Sequence, residues 1–172
     1  FTEENGFHPP NAAYFDRAGL NHKTHLFPII SNPGNPTGHT RAGAELEELI
    51  ALAEQPGHGI LLDEAYEMFH PSKGVSGIRY VQDLDDSNVF LAAACTKGLQ
   101  CPGVRIGWVI ASRQNVETLS NFSSFGMGGV SHPSQLYAVE LLEPSRVALA
   151  REAVERHYAM QRERYGAAFR EM

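Results

Sequence analysis

Short apolar runs recur along the chain, and each is followed by polar residues, glycines or prolines. The four clearest runs cover residues 26–30, 59–62, 89–94 and 106–111. Such runs, bounded by turn residues, are typical of strands that are buried on both faces of a sheet. Pro28 argues against regular pairing within the first run, because proline has no backbone N–H. The pattern predicts four short strands.

Between and after these runs, apolar residues recur with a helical period. Thr40 is predicted to cap a helix, and Ser112 is predicted to cap a second helix over residues 113–125. Two further helices are predicted over residues 133–143 and 145–170. The predicted apolar faces of the first two helices are formed by Leu46, Leu49, Ile50 and Ala53, and by Val116, Leu119 and Phe122.

The alternation of strands with helices predicts a three-layer α/β/α domain with a mostly parallel sheet. Residues 98–104, between the third and fourth runs, are too few for the crossover of about a dozen residues that parallel strands need. The fourth strand is therefore predicted to run antiparallel to the third. Residues 70–87 show no clear period, and we predict a loop there with at most a short helix.

Polar side chains follow the predicted strands at the edge where ligands bind in open α/β sheets. Asn35 comes after the first strand and Lys97 after the third. Asp63 and Tyr66 both follow the second strand. The antiparallel return brings Arg105 to the same edge as Lys97. An amine and a guanidinium that face one crevice suggest a site for an anion that carries an electrophile.

Three of the polar or glycine-rich segments also have simpler interpretations. Residues 32–38 contain two adjacent turn signals and would form an ordinary loop. Asp63 would cap a short turn, which is a common use of aspartate. Residues 126–129 are rich in glycine but lack the spacing of a dinucleotide-binding loop, so we predict a flexible joint.

Charge and composition exclude several classes of partner. The 172 residues carry a net charge of −6 without a run of like charges, which argues against a nucleic acid or an anionic membrane. No apolar stretch approaches the roughly 20 residues that span a bilayer. His22 and His25 form a ligand pair without a third member, and Cys95 and Cys101 have neither metal nor redox spacing. We therefore predict no metal and a reducing, cytoplasmic location.

Three motifs carry a family resemblance: NPGNPTG at 32–38, DEAY at 63–66 and TKGLQCPGVRIGW at 96–108. In this order and at these intervals they resemble the class I/II aminotransferases, the fold-type-I family that depends on pyridoxal phosphate. The resemblance extends from about residue 26 to the end of the chain. It implies pyridoxal 5'-phosphate as the cofactor, and an amino acid and a 2-oxo acid as the substrates.

The resemblance implies catalytic roles for Lys97, Asp63 and Tyr66. Lys97 would form a Schiff base with the cofactor aldehyde and later move the substrate α-proton, for which a lysine needs a lowered pKa. Asp63 would face the pyridine nitrogen and keep it protonated, so that the ring accepts the electrons left at the α-carbon. Tyr66 and Asn35 would hydrogen-bond the 3-oxygen of the ring.

The resemblance also implies a phosphate site. Arg105 would offer its planar guanidinium to the phosphate, and Thr96 would add a hydroxyl. The family usually has a small hydroxyl residue or glycine three positions before the lysine, whereas this chain has Ala94 there. Gln100 and Cys101 are also unusual at their positions. These departures predict one missing phosphate hydrogen bond, and so weaker cofactor binding with unchanged chemistry.

The chain begins at Phe1 and ends at Met172, and we expect residues 1–172 to be the central part of the large, cofactor-binding domain. The N-terminal segment of the family, with a second phosphate loop and a stacking aromatic residue, and its small domain, with a carboxylate-binding arginine, are expected to be absent from this chain. The resemblance also implies a homodimer. Because positioning groups would be missing, we expect these residues alone to turn over little or no substrate.

Two other functions are compatible with the same motifs. A pyridoxal-phosphate-dependent lyase, decarboxylase or cyclising synthase shares them, because the choice of bond depends on groups that face the substrate. A non-catalytic ligand-sensing domain of a transcription regulator has the same fold. The motifs are specific for the cofactor site, and they do not identify the amino acid or the 2-oxo acid.

Overall fold

A computed structural model describes residues 10–17, 25–70 and 75–172. The strands are β1 (Ile29–Ser31), β2 (Ile60–Asp63), β3 (Val89–Ala94) and β4 (Gly107–Ile110). The α-helices are α1 (Ala12–Arg17), α2 (Ala44–Ala53), α3 (Arg113–Gly126), α4 (His132–Leu141) and α5 (Pro144–Arg170). Short 3₁₀ turns cover Glu67–Phe69, Gly77–Tyr80 and Pro102–Val104. Among these described residues, no helix is both long and apolar enough to cross a bilayer.

The sheet has the order β1-β2-β3-β4, with the first three strands parallel and β4 antiparallel to β3. One row across the sheet aligns Ile30, Leu62, Leu91 and Ile110. This arrangement confirms the predicted α/β class and the antiparallel return. The first strand is displaced from the predicted 26–30 to Ile29–Ser31. The reason is Pro28, which has no N–H and contributes only its carbonyl oxygen, to the amide of Leu61 at 3.0 Å.

The described core lies between α2 and the central strands. Leu46, Leu49, Ile50 and Ala53 are at most 3% exposed, which confirms the predicted apolar face of this helix. They pack against Ile60, Leu62, Val89 and Leu91. Each of the larger side chains stabilises the fold by about 1.5–3 kcal/mol relative to an exposed position. This packing fixes β2 and β3, whose carboxyl ends form the edge of the sheet where Asp63 and Lys97 lie.

The predicted start of α2 was wrong. The helix begins at Ala44 with Gly43 as its N-cap, and Thr40 donates its hydroxyl to the carbonyl of Gly38 instead. Residues up to Arg41 still belong to the preceding loop, because the Arg41 amide donates to the side chain of Asn32 at 2.8 Å. This bond keeps Arg41 in the loop, so the helix begins only after it.

The later helices agree with the prediction to within two residues at each end. Ser112 caps α3 by accepting from the Asn115 amide at 3.3 Å, as predicted. The predicted packing of the apolar face of this helix is not observed, since Val116, Leu119 and Phe122 are 43%, 41% and 68% exposed. The observed contacts hold α3 at its first turn, where the Arg113 amide donates to Asp85 at 2.9 Å.

Candidate active site

The loop after β1 is organised by the buried side chain of Asn32. Its amide donates to the carbonyl oxygens of Arg41 and Val75, each at 3.1 Å, while its oxygen accepts from the Arg41 amide. The loop therefore closes on itself and on a segment more than 40 residues away. Asn35 lies exposed at the tip of this closed loop. Asn35 was predicted from the sequence to lie at this edge of the sheet. The role of Asn32 was not predicted, because its partners Arg41 and Val75 are 9 and 43 residues away in the chain.

Asp63 is the last residue of β2 and is half-buried. Its carboxylate Oδ1 accepts from the Ala65 amide at 3.0 Å, so it does cap a short turn, as the simpler interpretation holds. Its carbonyl accepts from the Asn32 amide at 2.9 Å, which ties the ends of β1 and β2 together. The carboxylate thus lies at the predicted edge of the sheet.

The next residue, Glu64, is a buried carboxylate that sequence reasoning missed. It is 6% exposed and accepts hydrogen bonds from the Ser76 hydroxyl at 2.6 Å and from the Gly77 amide at 2.7 Å. Burial raises the pKa of Glu64 above its ordinary value, while these two hydrogen bonds act in the opposite direction. In the sequence, the position of Glu64 directly after a predicted buried strand was the available indication that it lies at the edge of the sheet. Through these hydrogen bonds Glu64 holds Ser76 and Gly77 against the end of β2.

Lys97 lies in a tight turn that follows β3. Its carbonyl accepts from both the backbone amide of Gln100, at 3.0 Å, and the side-chain amide of Gln100, at 2.6 Å. Gln100 adopts a left-handed conformation with φ of 55°, which costs a non-glycine residue about 1 kcal/mol. The Lys97 amine lies 5.5 Å from the centre of the Tyr66 ring, within the range of a cation–π contact. The loops after β2 and β3 therefore meet at the amine and the ring.

Gly98 allows this close approach. A Cβ at this position would lie 2.8 Å from Cγ and 3.1 Å from Cβ of Met68, which belongs to the 3₁₀ turn after Tyr66. A larger residue would therefore separate the Lys97 turn from the Tyr66 segment. Gly103, a few residues along, has open space around the same position.

Gly98→Ala should lower the free energy of unfolding by about 1–3 kcal/mol, because an added methyl overpacks the contact with Met68. Denaturant unfolding of the full chain measures the change. Gly103→Ala is the matched control and should change stability by less than about 0.5 kcal/mol. Equal stabilities for the two variants would contradict the close contact.

Tyr66 and Asn35 line one cavity of 510 Å³, together with Thr40, Phe69 and Arg162. The structure thus brings Asn35 to Tyr66, and Tyr66 to Lys97. Asp63 and Lys97 are not among the described lining residues and lie at the adjacent ends of β2 and β3.

The cofactor-binding roles of Arg105 and Thr96, like the roles of the other predicted site residues, stay predictions. Gly107 pairs with Ala94, so the chain before β4 returns to the edge where Lys97 lies. Arg105 is exposed and has φ of 56°, in the left-handed region, and its guanidinium donates to the Pro102 carbonyl at 3.1 Å. Thr96 is half-buried beside Lys97.

The two histidines and two cysteines considered as metal or redox pairs are described next by their contacts and burial. His25 bonds the carbonyl of Gly57 through Nδ1 at 2.9 Å, while His22 lies outside the described residues. Within residues 10–17, 25–70 and 75–172, no group of three or more metal-ligating side chains occurs. Cys95 is a buried free thiol whose pKa is raised by burial, and Cys101 is a half-buried free thiol.

Residues 14–168 match the sequence profile of aminotransferase class I and II. The chain belongs to the aminotransferase class I and II family. Members of this family use pyridoxal phosphate. The resemblance carried by the three motifs is therefore confirmed.

Individual aminotransferases match most of this chain. Aminotransferase swnA of Metarhizium robertsii is 30% identical over 135 residues, which cover 76% of this chain and 27% of that protein. Aspartate aminotransferase of Pyrococcus horikoshii is 29% identical over 163 residues, covering 93% and 40%. A structure of Thermus thermophilus aspartate aminotransferase shares the fold, with a TM-score of 0.79, 21% identity and coverage of 94% and 41%. The chain thus spans less than half the length of these relatives.

Some relatives of the chain are named for other reactions. At 29% identity, one is 1-aminocyclopropane-1-carboxylate synthase 7 of Arabidopsis thaliana, matched over 76% of this chain and 31% of its own length. At 30% identity, another is threonine-phosphate decarboxylase of a Sinorhizobium species, over 77% and 38%. Membership of the family therefore leaves the reaction open among these classes.

The described donor groups fit pyridoxal phosphate. Lys97 would supply an amine for the aldehyde, and Asp63 a carboxylate opposite a protonated ring nitrogen. Asn35 and Tyr66, which share the 510 Å³ cavity, would offer an amide and a phenol to the ring oxygen. These groups lie at or just after the carboxyl ends of β1, β2 and β3, which is where open α/β sheets bind ligands.

Proposed function

We propose that the protein is an aminotransferase that moves an amino group between an amino acid and a 2-oxo acid, with pyridoxal phosphate bound covalently to Lys97. One observation carries the proposal: the Lys97 amine lies 5.5 Å from the ring of Tyr66, which shares a cavity with Asn35. We further propose that residues 1–172 form the central part of the large domain of a cytoplasmic homodimer.

Each proposed catalytic residue has a distinct task. The Lys97 amine holds the cofactor and, once released, carries the proton to and from the substrate α-carbon. The Asp63 carboxylate keeps a proton on the ring nitrogen by opposing its charge. The cofactor, when bound, supplies an electron-accepting ring. Tyr66 donates its hydroxyl to the ring oxygen, and Asn35 orients the same edge of the ring.

Arg105 is the proposed partner of the cofactor phosphate. Arg105 donates to the Pro102 carbonyl at 3.1 Å and is exposed, so the guanidinium is able to turn toward a phosphate at low cost. A bidentate guanidinium–phosphate contact is stronger than the neutral contact it replaces. Thr96, next to Lys97, adds a hydroxyl donor. We propose both as cofactor-binding residues.

A second candidate is a lyase, decarboxylase or cyclising synthase that uses the same cofactor. The relatives named as a synthase and a decarboxylase favour keeping this alternative. Both candidates share the tasks of Lys97 and Asp63 and differ in the bond that breaks. They are separated by the products: a new amino acid in the first case, and ammonia, carbon dioxide or a cyclic product in the second.

Borohydride reduction tests the proposal directly. The full-length protein is incubated with pyridoxal phosphate, reduced and digested, and the modified peptide is identified by mass spectrometry. The 172 residues contain three lysines, Lys23, Lys73 and Lys97, so the first two are internal controls. We expect the label on Lys97, together with amino transfer from an amino acid to pyruvate. A label on either other lysine, or none, would refute the proposal.

A further inference from the structure

Glu64 is a buried carboxylate that the proposed mechanism does not use. It is 6% exposed, and its two oxygens accept from the Ser76 hydroxyl at 2.6 Å and the Gly77 amide at 2.7 Å. A buried carboxylate costs free energy unless its oxygens are hydrogen-bonded, and here each oxygen has a donor. The segment that contains Ser76 is thereby joined to the turn that begins at the end of β2.

The loop after β1 holds the same segment from its other side. The carbonyl of Val75 accepts from the side-chain amide of Asn32 at 3.1 Å. The backbone amide of Asn32 in turn donates to the carbonyl of Asp63, the residue before Glu64, at 2.9 Å. Asn32 is 0% exposed and Val75 is 3% exposed, so water does not compete for these bonds. The contacts form a closed network, the Glu64 network, through residues 32, 63–64 and 75–77.

Gly77 lets the Glu64 network lie directly on the core. A Cβ at this position would lie 3.3 Å from Cδ2 of Leu91 and 3.4 Å from Cδ1 of Ile50, and it would overlap the side chain of Leu62. A larger residue would move the segment away from β2 and stretch its bonds to Glu64. The network therefore rests on packed side chains, which limits how far its members can move.

Two of the proposed cofactor contacts are attached to the Glu64 network. Asn35 lies three residues after Asn32, in the loop that the side chain of Asn32 closes. Tyr66 lies two residues after Glu64, in a turn where the Glu64 carbonyl accepts from the Glu67 amide at 3.0 Å. Asn35 and Tyr66 line the same 510 Å³ cavity. The network thus connects the two segments whose side chains meet there.

Asp63 is held mainly by other contacts. It pairs with Ser31 on β1 and with Ala92 on β3. Its carboxylate accepts from the Ala65 amide at 3.0 Å. Loss of the Glu64 carboxylate should therefore leave the proposed contact with the ring nitrogen in place and disturb the pair of proposed contacts with the ring oxygen.

We propose that Glu64 is a positioning residue that sets Asn35 and Tyr66 at the spacing needed to contact the ring oxygen of pyridoxal phosphate. It does so through its bonds to Ser76 and Gly77 and is not among the described residues that line the cavity. This inference rests on the proposed function. Because Glu64 acts through hydrogen-bond geometry, a neutral side chain of the same shape should replace it.

Equilibrium binding of pyridoxal phosphate to the full-length protein tests the inference without turnover. Glu64→Ala should weaken binding by about 5- to 10-fold, the value of one hydrogen bond to the ring oxygen. The visible circular dichroism of the bound cofactor, which reports the orientation of its ring, should change as well. Glu64→Gln should bind within about 3-fold of wild type, because its carbonyl accepts from Gly77 and its amide donates to the Ser76 oxygen.

Val89→Ala is the control for lost stability. Val89 is 0% exposed at the amino end of β3, the end away from Lys97, and a smaller side chain there leaves a cavity. This variant should unfold at a lower denaturant concentration and keep wild-type affinity and circular dichroism. Ser76→Ala removes one of the two bonds to Glu64 and serves where Glu64→Ala does not fold. It should weaken binding by about 2- to 5-fold.

A double-mutant cycle shows whether Glu64 acts through the two ring-oxygen contacts. Asn35→Ala and Tyr66→Phe together remove both of these contacts. In that background Glu64→Ala should weaken binding by less than about 3-fold further, because the groups that it positions are already gone.

Three results would overturn the inference: wild-type affinity in Glu64→Ala or Ser76→Ala, an equal loss in Glu64→Gln and Glu64→Ala, or the full loss persisting in the cycle. Each leaves the proposed function standing, because the wild type still carries the cofactor on Lys97. Failure of the proposed function has a different signature. The wild type would then show no saturable binding and no label on Lys97, and the inference would fail with it.

Discussion

Lys97→Ala should abolish borohydride labelling and lower the rate of amino transfer by at least about 10⁴-fold in the full-length enzyme. Under the proposed function, the variant loses both the amine that would hold the cofactor and the base that would move the α-proton, and a general base alone contributes a factor of about 10²–10⁴ to the rate. Single-turnover absorbance of the cofactor and steady-state formation of the new amino acid measure the two losses separately.

Lys97→Arg is the matched variant, because it keeps a cation beside the Tyr66 ring and removes the primary amine. It should be as inactive as Lys97→Ala while unfolding at the wild-type denaturant midpoint. A small primary amine added to Lys97→Ala should restore part of the rate, which a misfolded protein would not show. Transfer within about 10-fold of wild type in either variant would exclude Lys97 as the catalytic amine.

Strands β2 and β3 were predictable from sequence because each is a compact apolar run bounded by turn residues. Their alternate residues Ile60, Leu62, Val89 and Leu91 lie in one core, whereas the residues between them are only half-buried, so the predicted burial on both faces is not observed in the described residues. The antiparallel direction of β4 followed from a single short connection, 98–104. The start of α2 was not predictable, because it depends on the contact of Asn32 with Arg41, nine residues away.

The face of α3 shows a different limit of periodicity. Val116, Leu119 and Phe122 have the spacing of a packed face, yet all three are exposed among the described residues. Periodicity states which residues share a face of a helix. It does not state whether another element covers that face, which depends on how the helix is attached to the sheet.

In the candidate site, too, some placements were predictable from the sequence and others were not. The placement of Asn35, Asp63 and Lys97 at one edge of the sheet was predictable because each lies at the end of a strand or in the loop after it, and parallel strands end at one edge. Their supporting residues were not predictable, since the partners of Glu64 lie 12 and 13 residues away. Sequence motifs indicate which groups are proposed to contact a cofactor, while the contacts that hold those groups in place appear only in the fold.

Asp63→Asn should lower amino transfer by about 10²–10³-fold, which is the usual cost of removing one preorganised electrostatic contact. Asp63 caps its turn through Oδ1, which accepts from the Ala65 amide at 3.0 Å. Asparagine keeps an oxygen at this position and removes only the negative charge. The variant should therefore fold normally, bind pyridoxal phosphate less tightly, and lose the ability to hold a proton on the ring nitrogen.

Asp63→Ala separates the two roles, because it removes the oxygen as well as the charge. It should lose as much activity as Asp63→Asn and, in addition, about 0.5–2 kcal/mol of stability from the lost cap. Asp85→Asn, at an exposed carboxylate paired with Arg113, is a control for loss of charge alone and should leave transfer unchanged. If Asp63→Asn instead kept wild-type activity and cofactor affinity while Asp63→Ala lost only stability, the carboxylate would serve the turn alone. The charge opposite the ring nitrogen would then have to come from another residue.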